Sequence, residues 1–335
     1  MVTLKQLAEQ LNVSVSTVSK ALNGSYEISD ETIKRVKELA DMMNYRPNKM
    51  ALSLKHSKTF TIGVIVPDIL NHFFAKVLYG IEQEATELGY NIITCLSNES
   101  FDKEVNSLEF LANGSVDGFI LAMAEETQVL EKSEHFDTIL NQKFPMVMFD
   151  RVNDSIACDK VIIDDFNAAY NATTHLLKEG RRKIVLLTGI DELSVGKLRV
   201  KGYEKALKDF SGYTAEPFVL KVNTIETANT EIGALFDEED DIDGILGIDN
   251  STGVMALINA QKRNINVPKD MSIIGFSASN VLPFTDPKLS TVSQNAIKMG
   301  KKAVNILVEK LKVEEEAPIK THMVETKLIL RGTTL

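Results

Sequence analysis

The sequence predicts two unlike parts. A small all-α N-terminal segment carries a helix-turn-helix and a short linking helix. A larger α/β body of parallel sheets flanked by helices follows it, arranged as two lobes. Three observations carry this reading. Apolar residues recur at helical spacing through residues 4–43. From Thr61 onward, strand-sized apolar runs alternate with amphipathic helical stretches, the pattern of parallel α/β architecture. Finally, Val116-Asp117-Gly118-Phe119-Ile120-Leu121 and Ile242-Asp243-Gly244-Ile245-Leu246 echo each other, which points to two similarly built lobes. At 335 residues the chain also exceeds a single core of ordinary size.

In the first segment Leu4, Leu7, Ala8 and Leu11 line one face of a helix. Asn12-Val13-Ser14 makes a short turn, and Ser14 can cap a second helix from about Val15 to Leu22. Val18, Ala21 and Leu22 supply its core face, leaving Val15, Ser16, Thr17, Ser19 and Lys20 outward. Two short helices joined by a tight turn, the second with a small polar face, describe a motif whose second helix enters the major groove of DNA. A third helix runs from Ser29-Asp30-Glu31 to about Met43, with acidic residues at its dipole-positive start. Helical periodicity alone equally fits a generic three-helix bundle.

The stretch Tyr45–Lys55 joins the two parts. Pro47 can open a helix, Asn48 can cap it, and Ala51 and Leu54 share one face. A helix of roughly seven residues falls below the ~12–15 at which isolated helices become marginal in water. It is expected to fold only with outside support.

Strands are expected at Thr61–Val66, Tyr90–Cys95, Gly118–Ala122, Met146–Phe149, Val161–Asp164, Ile184–Thr188, Phe218–Val222, Gly244–Ile248, Ser272–Phe276 and Lys327–Leu330. Ligands of such sheets sit beyond the carboxyl ends of the strands, so the residues just after each strand are candidates. These are Asp68 and Asn71-His72-Phe73-Phe74 after the first strand, and Asp150-Arg151 after Met146–Phe149. Further along lie Lys197 and Arg199, Asp249-Asn250, Ser277, and Gln294 in the late Thr291–Gln294 crossover. Phe73 and Phe74 point in different directions, so one is expected in the cleft and the other in the core.

Charge separates the two parts as well. Residues 1–58 hold nine Lys/Arg against six Asp/Glu, whereas the remainder holds 28 against 41. A basic module on an acidic body fits DNA binding at one end. The N-terminus has no basic-then-apolar leader pattern and no apolar run approaches a membrane span, so a cytoplasmic protein with no membrane contact is expected. Cys95 and Cys158 lie in or beside apolar stretches and read as two buried thiols rather than a redox pair. No His-Glu-x-x-His, Gly-x-Gly-x-x-Gly or Gly-x-Ser-x-Gly occurs, and the five histidines have no metal-ligand spacing. Neither an enzyme nor a cofactor or metal site is expected.

The wording of Val2-Thr3-Leu4-Lys5-Gln6-Leu7-Ala8, of Val13-Ser14-Val15-Ser16-Thr17-Val18-Ser19-Lys20-Ala21-Leu22-Asn23 and of Tyr45-Arg46-Pro47-Asn48 closely resembles the lactose-repressor/galactose-repressor family of bacterial transcription regulators. The likeness continues through Ile62-Gly63-Val64-Ile65-Val66-Pro67-Asp68 to Leu330-Arg331-Gly332-Thr333. It implies a helix-turn-helix domain over 1–45, a hinge helix and linker over 46–58, and a periplasmic-binding-protein-like body over 59–335. The chain would cross three times between an N-lobe (about 59–160 plus 292–321) and a C-lobe (about 161–291 plus 322–335). By this resemblance Val15, Ser16 and Lys20 contact base edges, and Ser14, Thr17, Ser19 and Asn23 contact phosphates. Asn48, Ala51, Leu54 and Lys55 would enter the central minor groove with Leu54 as the wedge; packing against the body is the alternative for Leu54.

In the body, the resemblance implies that Phe73, Asp150, Arg199 and Asp249 line or brace an effector pocket, with Asn71, Lys197, Ser277 and Gln294 beside them. Arg199 is favoured because its planar fork suits a carboxylate or vicinal hydroxyls. Ion pairing between lobes or at a helix end is the alternative for Asp150 and Arg199, and a structural role for Lys197, Asp249 and Gln294. Sugar- and nucleobase-binding relatives usually carry an acidic residue where Gly275-Phe276 is followed here by Ser277. The missing carboxylate, which would take a bidentate pair of hydroxyls, argues against a simple sugar; a sugar derivative, a larger, phosphorylated or acidic ligand, and a phosphoprotein co-regulator stay open. The resemblance implies a homodimeric repressor on an inverted-repeat operator. No heptad extension follows Leu335, so a coiled-coil tetramer is not expected. A solute-binding protein without DNA activity would leave residues 1–58 without a role.

Overall fold

The computed structural model describes residues 2–45, 58–213, 216–222, 225–278, 285–313 and 318–335. The chain divides into two units, Met1–Thr59 and Phe60–Leu335. The expected hinge helix, with Asn48, Ala51, Leu54 and Lys55, lies outside the described residues.

The small unit holds α1 (Leu4–Leu11), α2 (Val15–Leu22) and α3 (Asp30–Met42). Each start is fixed by a capping hydroxyl. Thr3 and Gln6 form a reciprocal capping box on α1, Ser14 accepts from the Thr17 amide, and Ser29 accepts from the Thr32 amide. Asn12 ends α1 in the left-handed region at φ 52°, a conformation asparagine tolerates better than most residues, and so makes the tight turn. Leu7, Ala8, Val18, Ala21, Val36 and Ala40 form the buried core.

The large unit is built on two six-stranded sheets, in the orders β11-β5-β4-β3-β1-β2 and β12-β10-β9-β8-β6-β7. The first sheet comprises β1 (Thr61–Val66), β2 (Asn91–Leu96), β3 (Gly118–Leu121), β4 (Met146–Phe149), β5 (Asp159–Ile162) and β11 (Thr321–Met323). The second comprises β6 (Ile184–Thr188), β7 (Phe218–Lys221), β8 (Gly244–Gly247), β9 (Ser272–Gly275), β10 (Ser290–Ser293) and β12 (Lys327–Ile329). Every pairing is parallel except β10 with β12. The central strands are buried along their whole length, as helices on both faces of a parallel sheet require. On the first sheet the helices are α4 (His72–Glu87), α5 (Phe101–Ala112), α6 (Glu125–Val129) and α7 (Glu134–Asn141). The second sheet has α8 (Asp165–Lys178), α9 (Ser194–Asp209), α10 (Ile225–Glu238) and α11 (Thr252–Lys262). The long α12 (Ala296–Lys312) returns to pack on α4 and on β3–β5.

The chain leaves one sheet for the other after Ile162, Ser293 and Met323, each slightly beyond the expected point, because each strand runs to the end of its own sheet. Asp164 does not belong to β5, as expected from the sequence, but caps α8 by accepting from the Asn167 amide. β11 is a short, half-exposed edge strand without an apolar run, so nothing in the local pattern marks it. Cys158 is buried and its thiol is pushed up to about 11 by that burial, whereas Cys95 is only half-buried on edge strand β2.

The α4–α12 crossing depends on two glycines. A Cβ on Gly80 would lie 2.2 Å from the Ile297 carbonyl oxygen, and one on Gly300 would lie 2.2 Å from that of Val77. Backbone cannot yield as a flexible side-chain tip can, so any larger residue must push the helices apart. Gly300→Ala is expected to lose roughly 2–3 kcal/mol of stability by such overpacking, measured by urea unfolding. A wild-type midpoint would show that the crossing is not close-packed.

Candidate functional site

In the small unit, helical geometry sorts α2 into two faces. Val18 and Ala21 are fully buried against α1 and α3. Positions 15, 16, 19, 20 and 23 fall on the opposite arc at 100° per residue. Val15 (43% exposed), Ser16, Lys20 and Asn23 are exposed and Ser19 is half-buried. Thr17 sits at the edge of this face, its hydroxyl 2.8 Å from Ser14 Oγ. Asn23 donates to the Ser19 carbonyl at 2.9 Å. Lys20 pairs with Glu27, both half-exposed. Such a surface pair is worth about 0–1 kcal/mol, so Lys20 can exchange it for a stronger acceptor.

In the large unit, the ends of β4 and β5 and the start of α9 gather a cluster of charges. Asp150 follows β4 in the left-handed region, at φ 56°. It is buried, and its Oδ1 makes no hydrogen bond among the described residues. Burial pushes its carboxyl up to about 6; Asp165 and Glu99 push the same way, and Arg199 and Arg151 pull back. Its charged neighbours thus come from both lobes. Arg199, 3% exposed, donates from Nε to Asp165 Oδ1 at 2.7 Å and from Nη1 to the Ile248 carbonyl at 2.7 Å. Its guanidinium also lies 4.5 Å over the Phe276 ring. Burial raises the Asp165 carboxyl and Arg199 opposes that shift. Arg151 donates to Glu99 at 2.6 Å and lies 5.2 Å over Phe74. Both guanidiniums are therefore already engaged.

The structure separates the other expected effector residues. Asn71 caps α4, accepting from the Phe73 amide at 3.0 Å. Phe73 and Phe74 are both buried in the same core, edge to face at 5.3 Å, so neither opens to solvent as the alternation suggested. Lys197 lies on the solvent face of α9, about 200° around the helix from Arg199, and is not brought to the cluster. Asp249 is consumed locally: it accepts from the Gly189 amide at 3.0 Å, the Ser251 amide and hydroxyl, and the Thr252 amide. It braces the loop before α11. Ser277 lies 3.3 Å from Asn250 Oδ1, and with Gln294 it lines a separate cavity.

Sequence reasoning missed several residues. Asp165 adjoins the expected end of a strand and could have been singled out beside Asp164. Gln128 could not: it leaves α6 to meet the first turn of α9, donating to Ser194 Oγ at 3.1 Å and accepting from the Ser194 amide at 3.2 Å. That exchange links the two lobes. The α6 start is itself pinned by buried Glu104, which accepts from the Ala124 amide at 2.6 Å and the Thr127 hydroxyl at 2.7 Å, with His135 Nε2 at 2.9 Å. Among the described residues no group of three His, Cys, Asp or Glu could hold a metal ion.

Asp150 has a pH signature. Its folded value of about 6 exceeds its ordinary value of 3.8, so the folded chain holds this proton more tightly than the unfolded chain. Stability is therefore lost as pH rises from about 4 to about 6, and the cost persists above that; two units correspond to roughly 3 kcal/mol. Asp150→Asn is expected to stabilise the protein more at pH 8 than at pH 5 in urea unfolding. Asparagine's ease in the left-handed region adds only a pH-independent gain, so a gap that does not vary with pH would contradict this.

Comparison with known proteins places both units. Residues 3–48 match the family described as bacterial regulatory proteins, lacI family. Residues 59–329 match the periplasmic binding proteins and sugar binding domain of LacI family. The chain is 31% identical to the HTH-type transcriptional repressor PurR of Aliivibrio salmonicida, covering 93% of each chain. It is 30% identical to catabolite control protein A of Priestia megaterium, again over 93% of each. Its fold superposes on the lac repressor dimer bound to operator and the anti-inducer ONPF with a TM-score of 0.87, at 20% identity, covering 100% of this chain and 99% of that one. The first of these relatives is a transcriptional repressor of the helix-turn-helix type, and the family matched by residues 3–48 is one of bacterial regulatory proteins. With both units matched, the chain belongs to the LacI family of bacterial transcription regulators.

Proposed function

We propose that this regulator represses transcription as a homodimer on an inverted-repeat operator, and that a small molecule bound between the lobes controls it. The outward face of α2 carries the first half of this reading. Val15, Ser16 and Lys20 stand exposed on a helix whose other face is locked into the core. Val15 offers an apolar contact and Ser16 and Lys20 offer donors to base edges. Ser14, Thr17, Ser19 and Asn23 flank them as phosphate contacts that set register. Asn48, Ala51, Leu54 and Lys55 remain the proposed minor-groove elements. Dimerisation is supported by Tyr79 on α4, Ile93 and Leu96 on edge strand β2 and Ile297 on α12, which expose apolar surface on neighbouring elements.

For the effector, the charge inventory is the guide. Glu99, Asp150 and Asp165 face two guanidiniums that are already engaged, and Asp150 Oδ1 is buried without a partner. A neutral, donor-rich molecule such as a sugar or sugar derivative fits that oxygen; a carboxylate would meet repulsion. The Gln128–Ser194 exchange is the lobe contact that such a ligand would strengthen or break. Ligand and operator affinities must then be coupled reciprocally.

Operators enriched from random DNA should be inverted repeats. Lys20→Ala should weaken the enriched site by about 1–3 kcal/mol while lowering affinity for unrelated DNA much less. Equal losses on both DNAs in a gel-shift titration would refute base reading by Lys20. Asp150→Asn should abolish the effector's influence on DNA binding without altering operator affinity in its absence.

A further inference from the structure

We propose that Glu27 is a specificity-determining residue that reads DNA together with Lys20, the two side chains presenting a donor and an acceptor side by side to a single G·C base pair. This rests on the reading above that Lys20 contacts base edges, and it adds to that reading a residue outside α2.

The position of Glu27 is fixed by the loop between α2 and α3. Gly24 turns the chain in the left-handed region at φ 64°, where a larger residue would be strained. The Ser25 amide then donates back to the Lys20 carbonyl at 3.0 Å, tying the loop to the last turn of α2. Beyond Glu27, the Ile28 amide donates to the Ser25 carbonyl at 3.1 Å, Ile28 packs on the core of the small unit, and Ser29 caps α3. Glu27 is therefore held from both sides, with its carboxylate on the Lys20 ammonium. Lys20 is the one charged side chain of α2, and both head groups are half-exposed, so a base edge can reach the pair. Tyr26, on the same loop, is 95% exposed and offers DNA a ring and a hydroxyl that the protein leaves uncovered.

A carboxylate on a DNA-binding face is unfavourable by default, because the phosphates repel it. A G·C pair can reverse that sign. In the major groove guanine offers the acceptors N7 and O6, and cytosine offers the N4 amino donor. O6 and N4 are hydrogen-bonded to each other within the pair and so lie side by side. An ammonium in contact with a carboxylate is the complement of that pattern, with Lys20 on guanine O6 and N7 and Glu27 on cytosine N4. In the reversed pair the ammonium faces the amino group and the carboxylate faces the acceptors, and both contacts repel. An A·T pair fails in either sense, because adenine places an amino donor, and thymine a methyl group, where guanine offers an acceptor to Lys20. On unrelated DNA the same carboxylate mostly faces phosphates and acceptors. Glu27 thus favours the operator and penalises other sequences, the two ways in which specificity is built.

The test uses the full chain, an operator enriched from random DNA and a duplex of unrelated sequence, in gel-shift titrations. The base pair read by Lys20 is the one whose preference Lys20→Ala relaxes in a second enrichment, and it should be G·C in one orientation. Glu27→Ala should bind unrelated DNA several-fold more tightly and gain nothing on the operator, so the ratio of the two affinities falls roughly tenfold. N4-methylcytosine at that pair keeps the guanine edge and the Watson–Crick pairing but replaces the exposed N4–H by a methyl group. On that operator wild type should lose roughly tenfold and Glu27→Ala less than about twofold. Glu27→Gln, which keeps an acceptor oxygen without the charge, should fall between them. The ion pair is exposed, so both variants should keep the wild-type melting temperature, and the affinity ratio then reports contacts to DNA. The proposal is overturned if Glu27→Ala tightens both DNAs equally, which would make Glu27 a partner of Lys20 in the free protein only, or if N4-methylcytosine weakens wild type and Glu27→Ala alike. In either case Lys20→Ala would still lose selectively on the operator. Equal losses by Lys20→Ala on both DNAs would instead overturn base reading by Lys20, and this proposal with it.

Discussion

The large unit is organised around a buried charge that is not fully neutralised. Arg199 is held by Asp165, by the Ile248 carbonyl and by the face of Phe276, so its position is over-determined from within its own lobe. Asp150, from the other lobe, is left facing that assembly with one oxygen unpartnered and its backbone in the left-handed region. Each condition alone costs on the order of 1–3 kcal/mol. A ligand that donates to Asp150 would recover part of this cost, and it would do so only when both lobes are near. Binding is thereby coupled to lobe geometry.

The topology explains why such coupling can travel. The chain passes between the sheets three times, so neither lobe is a free appendage of the other. The backbone-to-backbone approach at Gly80 and Gly300 makes α4 and α12 a rigid pair on the first lobe. Rigid pairs transmit displacement instead of absorbing it. Among the described residues, polar contacts join the lobes at Gln128 with Ser194 on one side and at Lys76 with the Ala278 carbonyl on another, where Ala278 also packs on the first lobe's core. Hydrogen bonds of this kind, each net worth about 1 kcal/mol, suit a structure that must adopt two arrangements.

Much of this was legible without coordinates. Nine of the ten strands expected from apolar runs appear within a residue of their expected limits at either end. The tenth was displaced because Asp164 serves as a helix cap, a local role that competes with strand extension. The outward face of α2 was also readable, since a helix of eight residues has only one way to bury Val18 and Ala21. Edge strand β11 was not, because a half-exposed strand has no continuous apolar signal. The effector residues were the weakest reading. Position after a strand says that a side chain is near the cleft, yet not whether its polar atoms are already spent. Asp249 and Asn71 were spent on their own loops, and Lys197 fell on the wrong face of its helix.

By itself, then, the sequence determined what periodicity, capping and motif wording can encode: the helix-turn-helix, the alternating strands and helices, the doubled lobes and the family. These depend on neighbours a few residues apart. Only the tertiary structure decided which polar groups remain unsatisfied once the chain has folded. Asp150 Oδ1 stands out because groups from distant parts of the chain surround it without pairing it. Hydrogen bonding between distant parts of the chain has no periodicity to read, and it is there that the candidate effector site is defined.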